Sequence, residues 1–224
     1  MCGIRADESR NISTTCPAKC GSIKPWTLPA IINNIPFTMS GLKLCPDISD
    51  VFYDQLDECR KHFKPLASID LSLIDKKWDG QIFLVYFNDD PYCEESRNYL
   101  NDDCDGTKVT FDIVDGKYKF KADFGYFITN DDWKEWLEMG DKSYSEFLEG
   151  QKTSPTNPKD LIQKLNKKPK WLQSDETPLN SKGQKMKFIC QMNSGDIVND
   201  YCEEEIFLFY DPVDKVAVQV HQID

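Results

Sequence analysis

Residues 205–223, EIFLFYDPVDKVAVQVHQI, contain two apolar runs separated by a short turn at 212–214. In the second run Val216, Val218 and Val220 fall on one side of an extended chain, whereas Gln219 and His221 fall on the other. Because successive side chains of a strand point to opposite faces, this pattern predicts a strand with one buried and one half-solvated face. It therefore predicts that His221 is a half-exposed polar residue near a strand end.

Other segments extend this β pattern. The runs 66–74, 81–87 and 186–192 also have the character of strands, and 109–113 and 118–122 alternate on either side of Asp115-Gly116. An Asp-Gly pair supplies the positive φ angles of a tight hairpin turn. Helical spacing predicts one helix over 50–63, short helices from Asp131, over 143–148 and over 159–166, and a polar connection at 151–160. The fold class predicted is mainly β (α+β) with a few short peripheral helices.

The two halves of the chain share a faint repeat. Ile82-Phe83-Leu84 aligns with Ile206-Phe207-Leu208, and each run ends in an aromatic residue followed shortly by an acid. Upstream, Ile69 and Met192 stand at nearly equal distances from these runs. Similar strand pairs in the two halves predict roll-like antiparallel sheets built from a degenerate two-fold repeat.

These segments also resemble a known family. The motifs are PKWLQ (169–173), MKFICQMN (186–193) and IFLFYD (206–211), with weaker counterparts PLASIDL (65–71) and GQIFLVYF (80–87). The pattern is similar to the YwqG-like proteins, a family of unknown function, best over 168–211 and less well over 64–88. Two departures are Lys167-Lys168, where the family has a glycine pair, and Ser68, where it has glutamine.

The resemblance implies a mainly β, roll-like fold. Some bacterial members lie near toxin genes and are regarded as immunity or interaction proteins, and the family has no agreed catalytic residues. We expect an extended N-terminal arm over 1–40, because it holds four prolines and little periodicity, and a single YwqG-like domain over 41–224 with halves 41–150 and 151–224.

Charge and cysteine content restrict the partners and the compartment. The 224 residues carry a formal net charge of −11, which repels nucleic acid and anionic membranes. Nine cysteines form an odd set, and neither an export signal nor a long apolar run is visible, so we expect reduced thiols. The sequence predicts a cytoplasmic protein, held within a large intracellular assembly by protein partners.

Two sets of residues have the spacing of metal ligands. Asn101, Asp103, Asp105 and Asp112 follow a calcium-loop spacing, but Lys108 and a following hairpin do not suit such a loop. Cys16, Cys20, Cys59 and His62 are compatible with a zinc site, although Cys59 also fits the apolar face of a helix. Since an acidic turn and a helix core explain both sets, we expect no metal and no cofactor.

The sequence favours a non-enzymatic interaction or structural module over an enzyme. A partner would be held through the arm and the sheet edges, with Trp171, Gln173 and Gln191 as structural or interaction residues. The alternative is an amidohydrolase or amidotransferase that uses Cys2 as an N-terminal nucleophile, since Met-Cys-Gly-Ile begins the chain as it does in that class. The likeness ends at Ile4, so this enzyme is the second hypothesis.

Overall fold

Two antiparallel sheets form the frame of the molecule. The computed structural model describes residues 41–90, 92–199 and 204–223. A three-stranded sheet has the order β1-β2-β3 and a five-stranded sheet the order β5-β4-β8-β7-β6. The strands are β1 (Leu42–Leu44), β2 (Phe63–Asp70), β3 (Gln81–Phe87), β4 (Lys108–Val114), β5 (Lys117–Phe120), β6 (Lys187–Asn193), β7 (Glu204–Asp211) and β8 (Val216–Ile223).

The hairpin β7–β8 lies at the centre of the larger sheet, and its strands pair over their full length from Glu204 opposite Ile223 to Asp211 opposite Val216. Its turn is closed by the Asp211 carboxylate, which accepts the backbone N–H of Val213 at 2.7 Å. The hairpin β4–β5 has positive φ angles at Asp115 and Gly116, as a two-residue turn of this kind requires. Both predicted hairpins, and the mainly β class, are confirmed.

The predicted facing of β8 is wrong. Gln219 and His221 point into the interior between the sheets and are 0% and 6% exposed. Val218 and Val220 lie on the opposite face, in a separate apolar cluster with Phe207. The alternation of residue types was interpreted correctly as a strand, but the polar side is the inner one.

The inward glutamine has a specific partner, the free edge of β3. Among the described strands, β3 pairs with β2 alone. Phe83 and Val85 are at most 1% exposed, so the N–H and C=O groups on the other side of β3 lie in the protein interior. The Gln219 amide accepts the N–H of Val85 and donates to its carbonyl, both at 2.8 Å. The Tyr118 hydroxyl does the same for Phe83, at 2.9 and 2.7 Å. Two side chains thus replace a neighbouring strand and join the two sheets.

Aromatic rings fill the space between the sheets. Phe63 lies edge-on to Phe111 at 5.8 Å, and Phe111 stacks on Tyr118 at 4.6 Å between ring centroids. Phe52 stacks on Phe63 at 4.9 Å. All four rings are at most 2% exposed, so they bury most of their apolar area and provide a large share of the hydrophobic stabilisation.

The outer face of the five-stranded sheet is covered by the segment around Trp171. The Trp171 indole stacks on Phe207 at 4.4 Å and on Phe209 at 5.8 Å. This contact closes the smaller apolar cluster, so the indole is half-buried against the sheet. Trp171 therefore packs against β7, on the outer side of the five-stranded sheet.

The helices differ from those predicted. The single helix expected over 50–63 is instead two helices, α1 (Ile48–Val51) and α2 (Leu56–His62), because Phe52 is extended and Gln55 is left-handed. One 20-residue helix, α3 (Lys134–Thr153), replaces the two short helices expected within 131–148 and takes in the start of the connection expected at 151–160. The helix expected over 159–166 is a single turn, α4 (Pro158–Leu161). None of the helices within the described ranges combines the length and apolar character needed to cross a bilayer.

Ion pairs explain why α3 continues through a polar sequence. Lys134 pairs with Glu138, and Lys142 with Glu146, one helical turn apart on the exposed surface. Such pairs each favour a helix by a few tenths of a kcal/mol. On the inner side, Tyr144 and Phe147 pack against the main core. Because both the packing on the core and the surface ion pairs favour helix along these five turns, one long helix is preferred to two short ones.

Removing either side chain that caps β3 should destabilise the protein strongly. Tyr118→Phe leaves the N–H and C=O of Phe83 without hydrogen-bond partners in a dry interior. Gln219→Leu does the same to the N–H and C=O of Val85. Each unsatisfied buried group costs ~1–3 kcal/mol, so each variant should lose about 2–5 kcal/mol in chemical denaturation. The exposed Tyr53 supplies the control, and Tyr53→Phe should stay within ~0.5 kcal/mol of the parent. Equal stability of all three variants would contradict the proposed role of the two caps.

Replacing the half-buried indole should cost less. Trp171→Ala exposes Phe207 and Phe209 on the outer face, and we expect a loss of about 2 kcal/mol, below the ~3–5 kcal/mol of a fully buried tryptophan. Denaturant titration gives this difference directly. Leu179→Ala is the control, because Leu179 lies on the same segment and is 60% exposed. A Trp171→Ala protein as stable as this control would show that the indole does not support the sheet.

Candidate functional site

A cavity of about 470 Å³ opens where β3 and β8 end and α3 begins. We call it the indole pocket. Its walls are mainly aromatic and its floor carries acidic and histidine side chains, so it combines apolar surface with a few polar groups, as ligand sites commonly do. The lining residues used below are Tyr86, Asp89, Tyr92, Trp133, Trp136, Glu204 and His221.

The floor contains a buried hydrogen-bonded pair of side chains, His221 and Glu204. His221 Nδ1 lies 2.6 Å from Glu204 Oε2, and both side chains are at most 10% exposed. The other ring nitrogen, Nε2, lies 3.4 Å from the amide nitrogen of Gln219, which can only donate. This arrangement favours the tautomer with the proton on Nδ1, donated to Glu204. The ring also lies 4.4 Å from that of Phe87, so both nitrogens and one face of His221 are already occupied.

Asp89 is the second carboxylate of the pocket. Its Oδ2 accepts a hydrogen bond from the Tyr126 hydroxyl at 2.7 Å. Burial raises the pKa of the Asp89 carboxyl, the Tyr126 hydrogen bond opposes the rise, and nearby Glu204 adds to it. Burial also raises the pKa of Tyr126, which keeps the hydroxyl as a donor. Asp89 therefore holds its negative charge at an energetic cost, partly offset by a neutral partner.

The neighbouring Asp90 holds the walls of the pocket in place. It is 1% exposed, and its Oδ2 accepts the backbone N–H and the side-chain amide of Asn130 at 2.9 and 2.8 Å. Its Oδ1 accepts the backbone N–H of Tyr92 at 2.9 Å. Asn130 directly precedes the turn that carries Trp133, whose ring meets that of Trp136 edge-on at 4.6 Å. One buried carboxylate thus positions two separate sides of the pocket.

The tryptophan segment adjoins the pocket and is tied to the sheet by glutamines. Gln191 accepts the N–H of Lys170 at 2.7 Å and donates to Glu205 at 2.6 Å. Gln222, which lines the pocket, accepts the N–H groups of Leu172 and Gln173. Gln173 is exposed, and its amide donates to the carbonyl of Ile223 at 2.8 Å. Gln173 and Gln191 therefore satisfy polar groups that hold this segment on the sheet.

The candidate calcium residues serve a hydrogen-bonded turn and a strand. Asn101 Oδ1 accepts the N–H groups of Asp103 and Cys104, and Asp105 Oδ1 accepts that of Lys108. Asp112 lies in β4, where Lys121 Nζ stands 3.2 Å from it and 3.8 Å from Asp103. A lysine thus occupies the space between two of the candidate ligands.

Cys59 and His62 lie together on α2 in aromatic and backbone surroundings. The Cys59 thiol is 3.7 Å from the carbonyl of Asp54, and the His62 ring stacks on Phe127 at 4.9 Å. Burial lowers the pKa of His62. Cys2, Cys16, Cys20 and the predicted arm over 1–40 lie outside the described residues. Within 41–90, 92–199 and 204–223, no cluster of three or more His, Cys, Asp or Glu is arranged for a metal ion.

The indole pocket is not evident from the sequence, because its residues come from distant parts of the chain. Two local signals were present. Asn88-Asp89-Asp90 follows a buried strand directly, where polar side chains meet the end of a sheet. Trp133 and Trp136 are three residues apart at the start of a helix, so they share one helix face. Neither signal indicates by itself that the other lies beside it.

Comparisons of the chain with protein-family models, with curated proteins and with solved structures give no match in any of the three. The candidate site therefore rests on the geometry of the indole pocket and of the tryptophan segment beside it.

Proposed function

We propose that this protein is a non-enzymatic protein-interaction module of a larger assembly, and that a partner docks at the indole pocket. The observation that carries the proposal is the composition of the pocket. Trp133, Trp136 and Tyr92 form an apolar rim around polar groups that are already hydrogen-bonded in pairs. Tryptophan and tyrosine dominate the energetics of protein interfaces, because they bury a large area with few rotatable bonds.

The titratable groups of the described chain favour binding over covalent chemistry. Burial raises the pKa of the Cys45 and Cys59 thiols to about 12, and it raises those of Cys104 and Cys190 as well. Since the thiolate is the reactive form, these thiols are poor nucleophiles at neutral pH. His221 Nδ1 is directed at Glu204, and Nε2 faces Gln219. The polar groups of the pocket are therefore paired with one another, as suits a preformed binding surface.

We also propose that the domain is YwqG-like and contains two copies of one β unit. The register of the two strand pairs supports this. The β2–β3 pair shifts register between Pro65 and Ala67, and the β6–β7 pair shifts between Phe188 and Cys190. In both pairs the shift faces equivalent positions of the aligned partner strands, Leu84–Val85 in β3 and Leu208–Phe209 in β7. Asp70 and Asn193 then each cap a 3-10 helix that follows directly.

Further correspondence comes from the chain that borders each unit. The backbone N–H of Cys45 donates to the carbonyl of Leu66, and that of Asn166 donates to the carbonyl of Ile189, both at 2.8–2.9 Å. Leu66 and Ile189 are the extra residues at the two register shifts. A bulge that is stabilised in the same way at equivalent positions supports a common origin of the halves. The remaining sheet edges would be a second contact region for partners, together with the predicted arm.

Affinity capture with pocket variants tests the proposed function. Tagged wild-type protein should retain a defined set of proteins from an extract of its native source, and the double variant Trp133→Leu/Trp136→Leu should retain them at least about tenfold less, as expected for interface tryptophans. The interaction of each such protein is then measured by calorimetry with both components purified. Quantitative mass spectrometry provides the first comparison.

Trp78→Leu is the matched control for this experiment. Trp78 packs edge-on against Tyr210 at 5.2 Å, away from the indole pocket, and is likewise half-buried. The control should retain the same proteins as the wild type, and all variants are first compared by thermal melting. If the pocket variant, folded like the parent, retains an unchanged set of proteins, the partner does not use the indole pocket and the proposal is wrong.

A further inference from the structure

Beyond the proposed function, we infer that the protein has a second binding surface, which takes an acidic, extended segment of a protein partner. The surface consists of six exposed lysines from two separate parts of the chain, and we call it the lysine ridge: Lys76, Lys77, Lys164, Lys167, Lys168 and Lys170. None of them belongs to the described lining of the indole pocket, so the two surfaces can be tested separately.

Hydrogen bonds bring the two lysine-bearing segments together. The Asn166 side chain donates to the carbonyl of Ile74 at 3.0 Å, and its backbone N–H donates to the carbonyl of Ile189 in β6 at 2.8 Å. The Lys167 N–H closes a turn onto the carbonyl of Lys164 at 2.9 Å. The backbone that carries the ridge is therefore positioned along the edge strand of the five-stranded sheet before a ligand binds.

The ridge concentrates positive charge in an acidic protein. The segments 74–79 and 163–171 contain six lysines and two aspartates, whereas the whole chain has a net charge of −11. Both aspartates, Asp75 and Asp79, lie in the first segment, and the Asp75 carboxylate already accepts the N–H of Lys77. Because like charges held side by side repel one another, an anion that binds among them is stabilised.

The six lysines form no ion pair within the part of the chain that the structure describes. Beyond the ridge, ten lysines lie within 4.0 Å of a carboxylate oxygen. Ridge lysines act on acids only at longer range, as Lys76 does on Asp70 and Lys170 on Glu205. A carboxylate of a ligand therefore reaches the ridge without displacing an intramolecular ion-pair partner.

The residue types of the ridge suit mobile carboxylates better than phosphates. Arginine is the residue that recognises phosphate through two parallel N–H···O bonds, and neither segment contains an arginine. Lysine acts as a point charge on a flexible stem, so it sets no such geometry on its partner. The side chains of aspartate and glutamate residues in an acidic segment meet this requirement.

The charge of the rest of the chain disfavours long polyanions. Nucleic acid and an anionic membrane extend past the ridge and meet the negative field of the whole protein, whereas a short acidic segment meets the ridge alone. At ~0.1 M salt, exposed charges more than ~10 Å away are largely screened from such a segment. All six lysines are exposed, so a segment that lies extended across the ridge contacts several of them at once.

The fluorescence anisotropy of an octaglutamate peptide that carries a neutral fluorophore tests this assignment. In ~20 mM salt the peptide should bind saturably, with a dissociation constant on the order of 100 μM. In ~200 mM salt it should bind at least about fivefold more weakly, because salt screens exposed charges. Octaglutamine has the same length and no charge, so it should show no saturable binding.

Two double variants examine whether both segments contribute to one surface. Lys76→Gln/Lys77→Gln removes two charges from the first segment. Lys167→Gln/Lys168→Gln removes two charges from the second. Each double variant should weaken octaglutamate binding about three- to tenfold. All four side chains are exposed, so the variants should melt like the parent.

A control with the same net charge separates the ridge from the overall charge of the protein. Lys134→Gln/Lys142→Gln also removes two positive charges, from the exposed surface of α3, where both lysines are paired with glutamates. This control should bind octaglutamate within about twofold of the wild type, because its lysines lie outside the ridge.

Several outcomes overturn the inference. Equal weakening in the control would make the binding an effect of net charge, and no saturable binding in ~20 mM salt would show that the ridge is a solvated surface. Tighter binding of octathymidylate than of octaglutamate would make it a nucleic-acid surface, and pelleting with phosphatidylserine vesicles would make it a membrane surface. Each result is distinct from failure of the proposed function, because the Trp133→Leu/Trp136→Leu variant leaves the lysine ridge intact.

Discussion

The buried edge of β3 is the constraint on which the rest of the structure depends. A strand that ends a sheet inside a protein leaves N–H and C=O groups that water cannot reach, and these groups must find partners. Tyr118 and Gln219 supply them for Phe83 and Val85, with one donor and one acceptor each. This requirement decides which alternate side chains of β8 point into the interior, because Gln219 must face inward. The valines of β8 are then directed outward, and Trp171 covers the apolar face that results.

The same orientation of the β8 side chains places His221 in the indole pocket. Since Gln219 faces inward, so does His221 two residues later, and it meets Glu204 across the hairpin and Phe87 at the end of β3. The chain leaving β3 delivers Asp89 to this floor and Asp90 to the loops that carry the walls. The inward-facing side chains of β8 that join the two sheets therefore also place acidic groups beneath two indoles. The stability of the fold and the proposed docking site both depend on the ends of β3 and β8.

The sequence predicted which segments form strands and turns better than it predicted which face of a strand is buried and which distant residues come into contact. The alternation over 205–223 and the Asp115-Gly116 turn specify hairpins because strand period and turn chemistry are local properties. Which side of β8 is inside depends on the unpaired edge of β3, more than 130 positions away in the chain. The division of 50–63 into α1 and α2 likewise depends on Phe52 and Phe63 turning into the aromatic core. The pocket could not be predicted, because Asp89, Trp133 and His221 come together only after both sheets have formed.

Amide hydrogen exchange at Phe83 and Val85 tests the central claim most directly. Although β3 lies at the edge of its sheet, the two amides should exchange as slowly as those of the central hairpin β7–β8, because Tyr118 and Gln219 hold them in the dry interior. In Gln219→Leu, exchange at Val85 should accelerate selectively relative to Phe83. Fast exchange at both amides in the wild type, at the rates of an exposed strand edge, would contradict the account and with it the explanation of how the two sheets and the indole pocket are held together.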